Sequence, residues 1–363
     1  MNTFSMVGDW KQSSRLERFA SVIQEGMEEK GYQFDPEKNP DVQLVFNFVD
    51  SKKPTHFQRK GKGTFVVTVM ENDQPTDNIL QKGYPTLIRS LGNLMICLDQ
   101  SSEKESIHFV TLEQGCYSIT KQEEEKETFP EVFERLHPLA TSQLVIDNTF
   151  HHDLPKELWS GDKVTQSLYQ SGKKLDEMNL LPTPFPIQEL LSPKDYRHIQ
   201  RLYGIGGLSY GNLSARRVGN EFWMSARGVD KSNLTDIGRD ILLITGFNKE
   251  TLSMEISVPP HVLKPNRASV DAIEHWMIYT EHPKVGAIVH IHAWMEGIPS
   301  TVINYPCGTI QLGKAVADLI RQADDPSRAI VGLKNHGLTI TGRDLDDIFE
   351  RIEGRILPQV PMQ

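Results

Sequence analysis

The sequence predicts an α/β chain folded as two domains, and three observations carry that prediction. At 363 residues the chain is longer than one ordinary hydrophobic core organises. Its first third switches between helical and two-residue apolar periodicity, as a small α+β domain does. Its last third holds Val285-Gly-Ala-Ile-Val-His-Ile-His292 and Ile330-Val-Gly-Leu-Lys-Asn-His336-Gly337, two apolar runs that each lead to histidine.

Composition narrows the function before any motif is read. An apolar content of 38% suffices for two cores, and a net charge of −9 favours solubility. No domain-wide excess of Lys and Arg is present to bind phosphates, so neither a nucleic acid nor an anionic membrane is expected as a partner. Cys97, Cys116 and Cys307 are far apart, which implies no disulfide framework and no zinc ribbon. Residues Met1 to Arg15 lack an apolar core of signal-peptide length, and no stretch reaches the roughly 18 apolar residues of a membrane span. A cytoplasmic location follows as the expectation.

The first domain, residues 1–160, reads as α+β. Leu16, Phe19, Ala20, Ile23 and Met27 recur at three- and four-residue spacing, which predicts a helix over 14–30. Strands are predicted at 42–48, 64–70, 94–98 and 106–112, with a helix around 84–90. Arg59-Lys-Gly-Lys-Gly63 lacks the order of a triphosphate loop and reads as a solvated turn. Gln122 to Glu127 is a charge run, expected as a loop or an exposed helix start. In His151-His152-Asp153 adjacent side chains diverge, so these are expected on the surface and not as a ligand cluster. No chemistry is legible here; a regulatory, oligomerising or substrate-covering role is compatible with it.

Residues 161–185 are read as a bridge, made of a helix over 162–178 and the proline-dense Leu181-Pro-Thr-Pro-Phe-Pro186, which stops helices and stiffens the chain. The second domain is then 186–363. Ser192-Pro193 starts a helix through Leu202 that ends in Gly204-Ile-Gly-Gly207. Gly211-Asn-Leu-Ser214 has the glycine and short polar side chains suited to holding an anion against backbone N–H groups, and is equally an ordinary turn. Glu221 to Ser225 is a strand that delivers Ser225 to Gly228 to the same region.

In an extended segment alternate side chains share a face, so His290 and His292 stand together beside Ile288. His336, next to a glycine at the end of the second run, offers a third nitrogen. Three histidines with an open position describe a catalytic divalent-metal site; the plainer alternative is two unconnected histidines on a strand. Upstream, Pro265 to Ser269 leads into a helix that puts Asp271 and His275 on one face, four residues apart. Asn266 or Ser269 is placed to cap it. Asp271 reads either as a catalytic carboxylate or as an acid stabilised by the helix dipole.

Taken in order, Gly211-Asn-Leu-Ser-Ala-Arg216, Met224-Ser-Ala-Arg-Gly-Val229, Ser269-Val-Asp271 with His275 and Tyr279, Pro306-Cys-Gly-Thr-Ile-Gln-Leu312, the His290/His292 pair and Asn335-His336-Gly337 resemble the class II aldolase/adducin family. The resemblance covers about Pro186 to the end. It implies a three-layer α/β/α domain in which His290, His292 and His336 bind a divalent metal, Zn²⁺ first and Mn²⁺ or Fe²⁺ as alternatives. It places Asp271 as the acid/base and Asn212, Ser225, Arg227, Gly228 and Ser269 around the substrate. The implied function is a metal-dependent carbon–carbon lyase that forms an enediolate from a small hydroxy-carbonyl compound. An epimerase, dehydratase or decarboxylase using the same site is the near alternative, and a non-catalytic adducin-like scaffold the distant one. Adducin heads lack the metal set, so the three histidines favour the enzyme.

The chain also departs from the family pattern. The segment from His292 to Pro306 is too short for the family's tyrosine loop, for which Tyr305 is the nearest substitute, and Glu296 is a second candidate acid or a helix-start residue. The final helix, over 345–356, is followed by little more chain. Active sites completed where subunits meet imply a homo-oligomer, a tetramer first. Arg227 stands where the family shows a small hydroxyl residue and Val270 where it shows a second serine. One change adds a cation and the other removes a donor, so an anionic substrate group is expected to be held by Arg227 with Asn212 and Ser269.

Overall fold

A computed structural model describes residues 2–74, 78–100, 105–120, 125–203 and 209–363. Its contacts divide the chain into two units, one of residues 1–142, 185–201 and 362–363, the other of 143–184 and 202–361. The Gly204–Gly207 helix stop and residues 122–124 of the charge run lie outside the described residues.

The first unit contains β1 (Thr3–Gly8), α1 (Ser14–Glu29), β2 (Gln33–Phe34), β3 (Leu44–Phe48), β4 (Phe65–Asn72), α2 (Ile79–Ser90), β5 (Leu94–Asp99), β6 (Ser106–Thr111), β7 (Cys116–Thr120) and α3 (Glu125–Thr141). Its sheet has the order β2-β1-β3-β4-β5-β6-β7. The first five are parallel neighbours, and β6 and β7 are added antiparallel. Parallel strands covered on both faces read as unbroken apolar runs. All five residues of β3 and all six of β5 are buried accordingly. The helix expected over 14–30 is α1, capped by the Ser13 hydroxyl, which accepts from Leu16 N at 3.1 Å, and its predicted stripe is its buried face. The four predicted strands are β3 to β6; β1, β2 and β7 are additional. The two-residue β2 is too short to show a period, and β7 alternates buried and exposed residues over only five positions.

The second unit is built on β8 (Asp147–His151), α4 (Lys163–Glu177), β9 (Asn212–Val218), β10 (Glu221–Ser225), β11 (Ile241–Asn248), β12 (Ser253–Ser257), α7 (Ala272–Glu281), β13 (Ala287–Ile291), α8 (Ile310–Arg321), β14 (Ile330–Leu333), β15 (Gly337–Gly342) and α9 (Leu345–Ile352). The intervening α5 (Ile187–Leu190) and most of α6 (Pro193–Tyr203) belong to the first unit. There Arg89 pairs with Asp195 at 2.7 Å and Phe185 packs edge-on against Tyr84. The segment after the prolines therefore returns to the first unit. Residues 143–160, by contrast, supply β8, which joins the second sheet as the parallel partner of β12. The helix expected to bridge the domains is α4, and it packs on the second sheet.

That sheet has the order β14-β15-β13-β9-β10-β11-β12-β8, antiparallel throughout except at β12–β8. Two neighbouring residues of β10 reveal its layers. Phe222 packs its ring on Tyr279 and lies 6.4 Å from the His275 ring, both on α7. Trp223 donates its indole N–H to Asp162, the N-cap of α4, at 3.0 Å. Successive strand side chains face opposite ways, so α7 and α4 cover opposite faces. Helix α8 packs beside α7 and α9 beside α4, which makes three layers, α/β/α.

Two devices fix α7 over the sheet. Arg216 of β9 donates to the carbonyls of Tyr279, His282 and Val285 at 2.7–3.0 Å and lies over the Tyr279 ring, so a cation satisfies the carbonyls at the helix C-terminus. Ser214, also on β9, bonds both Tyr279 OH and His275 Nδ1 at 2.8 Å. The helix begins later than the sequence suggests. Asp271 is itself the N-cap and makes no side-chain cap bond. Neither expected cap acts as one: Asn266 donates to the Arg239 carbonyl and Ser269 is drawn into a side-chain cluster with Asp271.

Gly172 in α4 is held against the backbone of the turn that carries Lys231; a Cβ there would lie 1.8 Å from the Lys231 carbonyl oxygen. Alanine is the better helix former by about 1 kcal/mol, but overpacking against backbone costs about 1–3 kcal/mol. Gly172→Ala should therefore lower the stability of the second unit in urea denaturation; an increase would show that the turn yields freely.

Candidate metal centre

The site forms where one row of the second sheet meets the start of α7. His290 of β13 pairs with Asn212 of β9 on one side and Thr339 of β15 on the other. Direct cross-strand partners share a face. This row therefore presents Asn212, His290 and Thr339 toward α7, and His292 follows two residues after His290. The β14–β15 hairpin brings the third histidine. Its turn passes through Asn335 at φ 56°, a left-handed conformation that asparagine tolerates, and then His336. At Gly337 a Cβ would lie 2.1 Å from the Ile291 carbonyl oxygen, so only glycine lets β15 close on β13 here.

The three imidazoles converge. Ring centroids are 5.2 Å apart for His290–His292, 4.7 Å for His290–His336 and 4.9 Å for His292–His336. One nitrogen from each lies within 4.8 Å of the others. His290 and His336 are buried and His292 is half-buried, with the Tyr210 ring against it. Burial is the first cause that depresses all three pKa values, and the neighbouring rings add to it for His292 and His336. Asp271 and the Leu338 carbonyl partly oppose the shift at His290. Neutral imidazole is the ligand form.

Whether a metal ion fits can be judged from the orphaned atoms. His290 Nε2 and His292 Nδ1 are buried with no hydrogen-bond partner. A buried polar atom left in this way costs about 1–3 kcal/mol, and a divalent cation among the three rings would satisfy both. The residues fit such an ion.

Asp271 stands beside the rings, 6% exposed. Its Oδ2 accepts from Asn212 Nδ2 at 2.7 Å and from the Ser269 hydroxyl at 3.3 Å, and Asn212 also donates to Ser269 at 3.1 Å. Its Oδ1 is buried and unpartnered, as is Asn212 Oδ1. The fold thus joins four expected residues, Asn212, Ser269, Asp271 and His290, in one contiguous group with His292 and His336. Ser225 is placed differently: it is fully buried at the end of β10, where its hydroxyl accepts from Leu213 N at 3.3 Å. Arg227 is half-buried in the following turn, its N–H bonding the Arg267 carbonyl, and Gly228 is exposed there at φ 71°. Glu296 is exposed in a turn and starts no helix, and Tyr305 is partly buried against the core. His151 pairs with Glu255 on the strand surface while Asp153 accepts from Ser257, so these side chains part as expected.

Three groups near the site were not singled out from the sequence. Glu274 is 1% exposed, accepts the Thr339 hydroxyl at 2.5 Å through Oε1, and has a buried, unpartnered Oε2. Burial and the negative charge of Asp271 push its pKa up to about 8, against the Thr339 bond. Lys231 is fully enclosed and donates to the Ser209 carbonyl and hydroxyl; burial lowers its pKa to about 8, opposed by Asp230 and Asp271. The Cys307 thiol lies 3.4 Å from His336 Nε2. The signal for Glu274 was its spacing, since positions 271, 274 and 275 share one helix face.

Glu274 makes stability depend on pH in a definite direction. Between its ordinary value of 4.5 and about 8, the folded carboxyl keeps a proton that the unfolded one has lost, so its contribution to stability falls as pH rises through this range. In metal-free protein, the melting temperature of Glu274→Gln relative to the unmodified chain should rise steadily from pH 5 to pH 8. A difference independent of pH would contradict the assignment.

Known proteins resemble part of this chain. Residues 196–301 match the family model described as the class II aldolase and adducin N-terminal domain. The chain is 29% identical over 150 residues to an L-fuculose phosphate aldolase of Methanocaldococcus jannaschii, covering 38% of this chain and 80% of that protein. It is 26% identical over 187 residues to a 3-oxo-tetronate 4-phosphate decarboxylase of Haemophilus influenzae, covering 46% and 81%. The crystal structure of L-fuculose-1-phosphate aldolase from Thermus thermophilus is similar at 19% identity and a TM-score of 0.31, covering 52% of this chain and 86% of that one. The segment that matches the class II aldolase and adducin family model, residues 196–301, lies in the C-terminal half of the chain.

Proposed function

We propose that the C-terminal half is a metal-dependent carbon–carbon lyase acting on a small hydroxy-carbonyl compound. The observation that carries this reading is the set of three converging imidazoles, favoured in the neutral form and two of them with an orphaned nitrogen, beside a buried carboxyl group. Zn²⁺ is the first candidate for an imidazole site of this kind, with Mn²⁺ or Fe²⁺ as alternatives. A divalent ion held by His290, His292 and His336 would act as a Lewis acid toward the substrate's carbonyl and neighbouring hydroxyl.

The chain's own residues supply the rest of the reaction. Asn212 and Ser269 fix Oδ2 of Asp271, which leaves Oδ1 to take a proton from the substrate hydroxyl and return it to the product carbon. The buried surroundings exclude water from that transfer. Arg227, half-buried two residues beyond β10, is assigned to an anionic group of the substrate, a carboxylate before a phosphate. Its planar fork grips such a group bidentately. A decarboxylase among the relatives uses a related substrate class by name, so hydroxy-keto acids belong in a substrate screen beside ketoses and their phosphates.

Purified protein should hold close to one divalent ion per chain by elemental analysis, and His290→Ala/His292→Ala should lose it. Asp271→Asn should keep both ion and fold while turnover drops by roughly 10²-fold or more. Retention of the ion by the double variant, or undiminished turnover without the Asp271 carboxylate, would refute the respective assignment. For the anion, Arg227→Met should raise KM by roughly tenfold or more, the size of a charged hydrogen bond, with a smaller change in kcat. An unaltered KM, or an uncharged substrate, would remove Arg227 from recognition.

A further inference from the structure

The reaction above leaves Glu274 and Thr339 without a task, yet both are enclosed and joined at the back of His290. Thr339 is the cross-strand partner of His290 on β15, and its Oγ1 lies 3.5 Å from His290 Nδ1. The same Oγ1 donates to Glu274 Oε1 at 2.5 Å. A threonine hydroxyl has one proton. With Oε1 as the accepting oxygen and the carboxyl's own proton on Oε2, the hydroxyl proton is committed to Glu274, so Oγ1 offers only lone pairs to the imidazole and favours a hydrogen on Nδ1. A hydrogen on Nδ1 leaves Nε2 as the lone-pair nitrogen, and Nε2 is the buried atom of His290 that has no partner.

We propose that Glu274 is a positioning residue which, through the Thr339 hydroxyl, selects the tautomer and ring orientation of His290. The pair works as a directional relay. The carboxyl orients the hydroxyl, the hydroxyl orients the ring, and Nε2 is left as the nitrogen that would hold an ion. Outer partners of this kind govern metal affinity by about 10–100-fold. A purely structural role for Glu274 does not account for its direction. A buried carboxyl serving only the packing of α7 would be expected to have both oxygens satisfied, whereas Oε2 is left without a partner and Oε1 binds the residue opposite a metal-site histidine.

The proposal rests on the metal reading for its purpose but not for its test. In metal-free protein with ¹⁵N-labelled histidine, His290 should show a pyrrole-type Nδ1 and a pyridine-type Nε2, assigned by the loss of these signals in His290→Gln. Thr339→Val and Glu274→Leu should each shift that pattern toward a mixture and weaken Zn²⁺ binding, measured by chelator competition, by about 10–100-fold. Thr339→Ser and Glu274→Gln keep the hydroxyl and its acceptor and should behave as the unmodified chain, which separates the relay from loss of packing. Unchanged tautomer and affinity in a folded Thr339→Val protein would overturn the relay, as would a pyridine-type Nδ1 in the unmodified chain. If the expected tautomer is present and Thr339→Val removes it while no variant takes up Zn²⁺, the relay holds and the metal reading falls.

Discussion

The burial of neutral imidazoles at one end of an antiparallel sheet is the interaction on which the rest of the site depends. A histidine in water near neutral pH is within reach of protonation, and a charged one would be a poor ligand. Enclosing His290 and His336 between β9, β13, β15 and α7 removes the solvent that would stabilise the charge. The same enclosure works in the opposite direction on Glu274, which it holds toward the protonated form. One environment thus keeps three bases unprotonated and one acid protonated, and at both kinds of group the charged form is the one disfavoured.

Such a site needs close backbone approach, and glycines provide it. At Gly211, with φ of 70°, a Cβ would stand 2.4 Å from the His290 carbonyl oxygen. Gly337 meets the Ile291 carbonyl in the same way from the other side. These two positions clamp the end of β13 between its neighbours, and the backbone around His290 has little freedom to move. The position of His290 is then set by the sheet register, and His292 and His336 sit directly at strand ends, an arrangement that keeps a ligand set preorganised.

Much of this was legible from the sequence, for reasons particular to each residue. His-x-His in an apolar run has only one geometric consequence in a strand, so the pair could be read directly. His336 and Asp271 needed the order of several motifs. The cluster of Asn212 with Ser269 and Asp271 joins residues 57 and 59 positions apart, a contact no local period encodes. Ser269 misled for the same reason: as a short polar residue ahead of a helix it looks like a cap, and tertiary contact with Asn212 and Asp271 took its side chain instead. In the first unit, the strands with long apolar runs were visible, but their parallel order was not, since periodicity reports faces and says nothing of neighbours. The chain's return at Phe185 to Arg201 was hidden likewise, because the Arg89–Asp195 pair, 2.7 Å apart between α2 and α6, joins residues too far apart in the chain for any local period to encode.

Glu274 shows where the two kinds of reading meet. On a helix diagram it shares a face with Asp271 and His275, and an acid in the first helical turn is ordinarily explained by the macrodipole. That explanation requires an ionised carboxylate. Here burial and Asp271 favour the protonated form, and a neutral carboxyl gains little from the dipole. A group that is costly to bury and poorly placed to stabilise its helix is retained in native structures where it orders something else. The element within its reach is the Thr339 hydroxyl, and beyond it the ring of His290. The carboxyl of Glu274 therefore does its work on the sheet, one residue removed from the centre it serves.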